Sequence, residues 1–261
     1  MTIGTAVPDF EQLARVKHHF IQNKSIHDKY TVKDFSNESK NLIEKLFRKN
    51  NIIVLVGGSF LFLESIIYGL DEIPNIPKSI RENLNDLYLN KGIGFMSNIL
   101  KEKDIKYFKK IDTKNHRRVI RALEVIEHTG EKFSNYLSNN QKEMYNHIQI
   151  SLDSNRNILY ERINSRVDIM IKNGLIDEVK KLYDYKDLVT LNTVGYKEIF
   201  KYLDNDLPLE ESIYEIKKNT RRFAKRQLTW LRNSKGKKYW YDISVSSKKI
   251  ILELNKILKI W

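Results

Sequence analysis

The 261 residues carry 46 Lys and Arg against 33 Asp and Glu, a formal charge of +13, and 41% of them are hydrophobic. That content supports one large domain or a core with an inserted lobe and excludes general disorder, while the charge favours an acidic partner such as nucleic acid over a neutral one. No apolar run approaches the roughly 18 residues of a membrane span, no signal-peptide pattern opens the chain, and Cys is absent, so a cytoplasmic protein without membrane association, disulfides or thiolate metal sites is expected. The six His are not read as a metal site either.

Residues 36–49 read as a helix with a polar face. Asn51-Ile52-Ile53-Val54-Leu55-Val56 follows as an uninterrupted apolar, β-branched run, which predicts a strand covered on both faces, the material of a parallel sheet. It passes through Gly57-Gly58-Ser59 into an apolar helix over Phe60–Tyr68 closed by Gly69. A strand, a tight Gly turn and a helix N-terminus aim backbone N–H groups at a bound anion, although such a turn serves packing as often as binding. It is not a Walker loop, because the Lys-Ser/Thr of GxxxxGK[ST] is missing.

From Pro74 to about Gln141 the pattern is a succession of short helices without a strand, punctuated by Pro74, Pro77, Gly92, Gly94 and Gly130, and reads as a helical insertion. Asp112 or Thr113 is expected to cap a helix running to about His128. On it Lys114, Arg117, Arg118 and Arg121 share one face, and Val119, Ala122, Leu123 and Ile126 the other.

Residues 147–152 alternate like a returning strand, and a helix from about Ser154 to Asn173 follows, stopped by Gly174. Leu159, Ile163, Val167 and Met170 form its buried stripe, and Arg166 projects only about 20° from Leu159. Arg166 is therefore either an arginine laid along the core or a cation held in a cleft for a phosphate oxygen. Another helix starts near Thr193, with Gly195 allowing close approach.

In the segment 220–232, Arg221, Arg222, Lys225, Arg226 and Arg232 fall within an arc of roughly 140°, opposite Phe223, Ala224, Leu228, Trp230 and Leu231. One side is suited to dock on protein and the other to meet a polyanion, where each neutralised phosphate releases counterions. A solvated basic face is the plainer alternative. Gln227 lies within the apolar arc and needs a partner, in the protein or in RNA. Beyond Ser234 a closing strand and helix are expected, including Trp240.

Taken in order, Gly4-Thr5-Ala6, Val56-Gly57-Gly58-Ser59, Arg118-Val119-Ile120-Arg121-Ala122-Leu123-Glu124-Val125, the segment 162–178, Thr193-Val194-Gly195-Tyr196-Lys197-Glu198 and the segment 224–232 resemble the tRNA dimethylallyltransferases. The resemblance implies transfer of the dimethylallyl group of dimethylallyl diphosphate to the exocyclic N6 amine of the adenosine 3′ of the anticodon, with release of diphosphate and Mg²⁺ as cofactor. The fold it implies is α/β, a P-loop-kinase-like parallel-sheet core over 1–73 and 146–261 with a helical tRNA-binding insertion over 74–145.

Carried to this sequence, the family pattern implies that Arg166 holds the diphosphate and that Gly4, Thr5, Gly57, Gly58 and Ser59 contact substrate. It implies tRNA contacts from Ser59, Arg81, Arg117, Arg118 and Arg121, from Asn192, Thr193, Gly195, Tyr196 and Lys197, and from Lys225, Arg226, Gln227, Trp230 and Arg232. The expected partner is the anticodon stem-loop of tRNA, bound by a monomer, although no residue pattern fixes the oligomeric state. Such proteins also carry a first strand, a GPTxSGK[ST] loop and an Asp-Ser-x-Gln-x-Tyr segment before the Gly-Thr-Ala motif, and none is found in these residues. The expectation is accordingly a core without its first strand and loop, and a chain inactive by itself for want of the diphosphate cradle and the general-base Asp. The rival expectation is an RNA-binding remnant that recognises the anticodon arm without modifying it.

Overall fold

The computed structural model describes residues 1–137 and 143–258. The helical reading out to Gln141 therefore lies partly outside the described residues. These residues fall into two compact units, one within Met1–Leu63 and Asn146–Trp261, the other within Glu64–Tyr145. The division between the units falls after Leu63, inside the apolar helix that follows the Gly turn.

In the first unit the helices are α1 (Phe10–Arg15) and α2 (Val32–Phe47), and α3 (Phe60–Ile67) begins there. Capping boxes start α1 at Asp9 and α2 at Thr31; in the second the Thr31 side-chain oxygen accepts from the Asp34 N–H while the Asp34 carboxylate accepts from the Thr31 N–H. The second unit holds α4 (Lys78–Lys103), α5 (Ile105–Phe108), α6 (His116–Thr129) and α7 (Phe133–Tyr136). Gly92 breaks α4 with φ 77°, which makes it two helices end to end. Helix α6 starts at Asn115, whose side chain accepts from Arg118 N–H at 3.3 Å, and stops at left-handed Gly130. Asp112, one of the expected caps, is spent on the turn before it, accepting from Lys114 N–H.

The chain then returns to the first unit through β1 (Gln149–Asp153), α8 (Arg156–Lys172), α9 (Leu175–Lys180), α10 (Tyr196–Leu203), α11 (Leu209–Asn233), β2 (Lys238–Asp242) and α12 (Ser247–Leu258). Strands β1 and β2 pair in parallel, Gln149 opposite Lys238 and Asp153 opposite Asp242. The fold is thus a mostly helical α/β one with a small parallel sheet.

The expected strand over 51–56 is the main correction. Those residues form no strand and pair with none among the described residues, and Val54 and Val56 are 78% and 90% exposed. A β-branched run becomes a strand only when neighbours take its backbone hydrogen bonds and cover its faces, and here neither is supplied.

Each unit has its own core. Met96, Leu100, Val119, Ala122, Leu123 and Val125 close the second, between α4 and α6. In the first, Val167, Leu175, Val179, Leu191, Tyr196, Ile199 and Ile216 pack where α8, α9, α10 and α11 meet. Burying each such side chain contributes about 1.5–3 kcal/mol before entropy is subtracted, so these two clusters fix which faces of α6, α8 and α11 remain outside.

Candidate functional site

The Gly57-Gly58-Ser59 turn is fastened to α11. The Gln227 side-chain amide donates to the Gly58 carbonyl at 2.9 Å, and one helical turn on, Trp230 stacks on Phe60 with ring centroids 4.2 Å apart and planes 4° from parallel. Gly58 is needed for this approach: a Cβ there would stand 2.2 Å from Gln227 Nε2, whereas at Gly57 it would meet nothing. The Ser59 carbonyl accepts from Phe62 N–H to start α3, while the residue itself stays exposed. Gln227 and Trp230, both placed by the family pattern at RNA, thus spend these groups inside the protein.

With that side of α11 committed, Lys225, Arg226 and Arg232 are exposed on the rest of its C-terminal half. Arg232 also reaches Asp153 at the end of β1, at 3.2 Å, beside an open cavity of about 500 Å³ lined by Gly236, Lys238 and Trp240. Two residues depart from the expected separation of faces. Arg221, expected on the polyanion side, donates to Asn164 of α8 at 2.7 Å and lies over the Tyr160 ring; Phe223, expected to dock, is 43% exposed beneath Arg226. The α8 contact turns the upper part of α11 toward protein, which a helical wheel of one segment does not reveal.

The N-terminal Gly-Thr-Ala segment is held by one carboxylate. Glu178 of α9 accepts from the backbone N–H groups of Thr2, Ile3 and Gly4 at 2.8, 2.9 and 3.1 Å and from the Tyr196 hydroxyl at 2.5 Å. Burial alone would raise its pKa, but the hydrogen bonds from Tyr196 and the three N–H groups outweigh that and hold it below the ordinary carboxylate range. Burial, with the Glu178 contact, pushes the Tyr196 phenol well up. Tyr196 is fully buried, and a Cβ on Gly4 would stand 2.3 Å from its ring. Its side chain is therefore core, not an RNA-facing group. Thr5 is exposed.

Around the start of α10, Asn192 and Thr193 are exposed and Lys197 half-buried, while Gly195 is buried at φ 99°. Glu198 is 3% exposed; it accepts from Gly195 N–H at 2.8 Å and from the Asn219 side chain of α11 at 2.8 Å. That carboxylate ties the 192–197 segment to the same helix that carries Lys225 and Arg226. On α8, Arg166 is exposed. Asn164 and Asp168 face α11, the latter at 2.6 Å from Lys217, so Arg166 projects about 200° away from them and off the α11 side.

In the second unit Arg117 and Arg118 are exposed on α6. Arg121 and Arg81 both bind Glu124, which is fully buried. Among the described residues no group of three His, Cys, Asp or Glu is placed to hold a metal ion.

The family model for IPP transferase matches residues 1–234. The chain belongs to the IPP transferase family. It is 47% identical over 251 residues to a tRNA dimethylallyltransferase of Christiangramia forsetii, covering 96% of this chain and 83% of that protein. A tRNA dimethylallyltransferase of Flavobacterium psychrophilum is 44% identical over 266 residues, covering 99% and 86%. Among solved structures, a full-length tRNA isopentenylpyrophosphate transferase from Bacillus halodurans is 37% identical with a TM-score of 0.70, covering 98% of this chain and 82% of that one. The family is one of transferases acting on tRNA.

Three carboxylates escaped sequence reasoning: Glu178, Glu198 and Glu124, each of which organises a segment that the family pattern assigns to substrate or tRNA. For Glu124 one sequence signal existed, its place three residues after Arg121, the spacing of a same-face ion pair on a helix.

Proposed function

We propose that this chain serves tRNA prenylation: it grips the anticodon stem-loop and offers the Gly57-Gly58-Ser59 turn to the adenosine 3′ of the anticodon, whose N6 amine accepts the dimethylallyl group of dimethylallyl diphosphate. The observation that carries this reading is the docking of α11. Its Gln227 and Trp230 seat the helix on the turn, so Lys225 and Arg226 stand on a rigid element anchored to the place where the base would enter. Prepaid side-chain and helix order lowers the entropy cost of meeting the RNA backbone. Extracting the adenine from its loop stack costs a few kcal/mol, offset by contacts in the pocket.

In the reaction the amine nitrogen bonds to C1 of the dimethylallyl group, the C1–oxygen bond breaks, diphosphate leaves with the electron pair, and a base takes the amine proton. Arg166, exposed on α8 away from the α11 contact, is the residue of this chain assigned to the diphosphate. The exposed Ser59 hydroxyl is assigned to the RNA, and Arg81, Arg117, Arg118 and Arg121 to the stem phosphates. Mg²⁺ would be held chiefly by the diphosphate oxygens and would offset the charge that develops on the leaving group. A second reading, recognition of the anticodon arm without modification, rests on the same observation.

The experiment is to titrate the purified chain with tRNA at several salt concentrations and then supply labelled dimethylallyl diphosphate. Salt-dependent binding followed by transfer to the RNA supports the reading; binding without transfer favours recognition of the anticodon arm alone, and absence of tRNA binding contradicts the function itself.

A further inference from the structure

Glu124 stands on α6 three residues after Arg121 and has no exposed surface. A carboxylate in such a place is costly unless it is paired and hydrogen-bonded. It is paired twice. Arg81 of α4 grips it with both prongs, Nε to Oε2 and Nη2 to Oε1, each at 2.7 Å, and Arg121, one turn earlier on α6, adds a third bond to Oε1. Both arginines nevertheless stay at the surface, their side chains 55% and 38% exposed. The carboxylate faces inward, the outer edges of two guanidinium groups face outward, and Arg117 and Arg118 stand exposed on the preceding turn.

Resting on the function proposed above, we propose that Glu124 is a positioning residue for RNA: it fixes the directions in which the free N–H donors of Arg81 and Arg121 meet phosphates of the anticodon arm. A free surface arginine samples many rotamers and must be ordered when it binds; one held in a two-pronged grip is ordered beforehand and still has donors left over. The plain alternative is that Glu124 only clasps α4 to α6 and partly cancels the charge of its neighbours.

These two roles differ in sign. Removing the Glu124 charge makes the basic face more cationic, so a clasp or counter-charge predicts equal or tighter binding of polyanion, whereas a positioning residue predicts weaker binding in spite of the added positive charge. The experiment measures binding of an anticodon stem-loop RNA by wild type, Glu124→Gln, Arg81→Lys and the double variant across a range of salt, with thermal unfolding of each alongside. Glu124→Gln is expected to bind about tenfold more weakly, with a log-log salt slope shallower by about one. Arg81→Lys keeps the charge at a half-exposed site and is expected to weaken binding several-fold, and the double variant to be little weaker than either single one.

Glu124→Gln binding as tightly as wild type or tighter while folded overturns the proposal. If that variant does not fold, Arg81→Lys decides: unchanged affinity and salt slope overturn it. Failure of the wild-type chain itself to bind the stem-loop would instead refute the underlying function.

Discussion

The side-chain amide of Gln227 donates to the carbonyl oxygen of Gly58 at 2.9 Å, and a methyl group placed on Gly58 would stand 2.2 Å from that same nitrogen. The turn and the helix therefore fit only because one residue has no side chain and the other ends in an amide. Gly58→Ala is expected to push the flexible amide aside, leave the carbonyl unpaired and cost about 1–2 kcal/mol. Chemical denaturation of Gly58→Ala, Gln227→Ala and the double variant checks it: the two losses should be less than additive, since both remove one bond. Gly57→Ala, where the new Cβ meets nothing, should stay within about 0.5 kcal/mol of wild type.

Gly4 poses the stricter case. A Cβ there would stand 2.3 Å from the ring of Tyr196, which is fully buried and has nowhere to go. Gly4→Ala should cost about 1–3 kcal/mol by overpacking and loosen the Gly-Thr-Ala segment, read as faster amide exchange at Thr2, Ile3 and Gly4, the N–H groups that Glu178 holds.

Glu178 makes that segment sensitive to acid. Its pKa in the folded chain lies below the ordinary value, so the folded state favours the ionised form more than the unfolded state does. The stabilisation is present above the unfolded-state value of about 4.3 and is lost as pH falls through the lower folded-state value. A pH series of melting temperatures should show this loss on the acid side, and Glu178→Gln should be destabilised near neutral pH with a flatter acid limb. An acid limb identical in both proteins would rule the contribution out.

Phe60 and Trp230 stack almost face to face and share the work of Gln227 in seating α11. Such a pair contributes about 0.5–1.5 kcal/mol beyond its buried area. A cycle of Phe60→Leu, Trp230→Leu and the double variant in denaturant should return a coupling of about 1 kcal/mol.

Much of the helical framework was legible, because 3.6-residue periodicity and caps are local signals: α2, α3, α6, α8 and the Gly130 and Gly174 stops stand within a few residues of their expected places. The run 51–56 was misread for the opposite reason, since strand formation depends on partners elsewhere in the fold and no pairing strand stands beside it among the described residues. The apolar arc of α11 correctly held Trp230, but the wheel could not show that Asn164 draws Arg221 to α8 or that Tyr196 is core. The clamping carboxylates were hard to read because their decisive partners stand 21, 43 or more than 170 residues away in sequence.

The central claim is that α11 turns Lys225 and Arg226 toward RNA because its other side is fastened to the Gly57-Gly58-Ser59 turn. Binding of an anticodon stem-loop by wild type and by Lys225→Gln/Arg226→Gln, followed across salt, tests this most directly. The account expects weaker binding with a slope shallower by about two, at unchanged thermal stability; equal affinity and equal slope in the two proteins would contradict it.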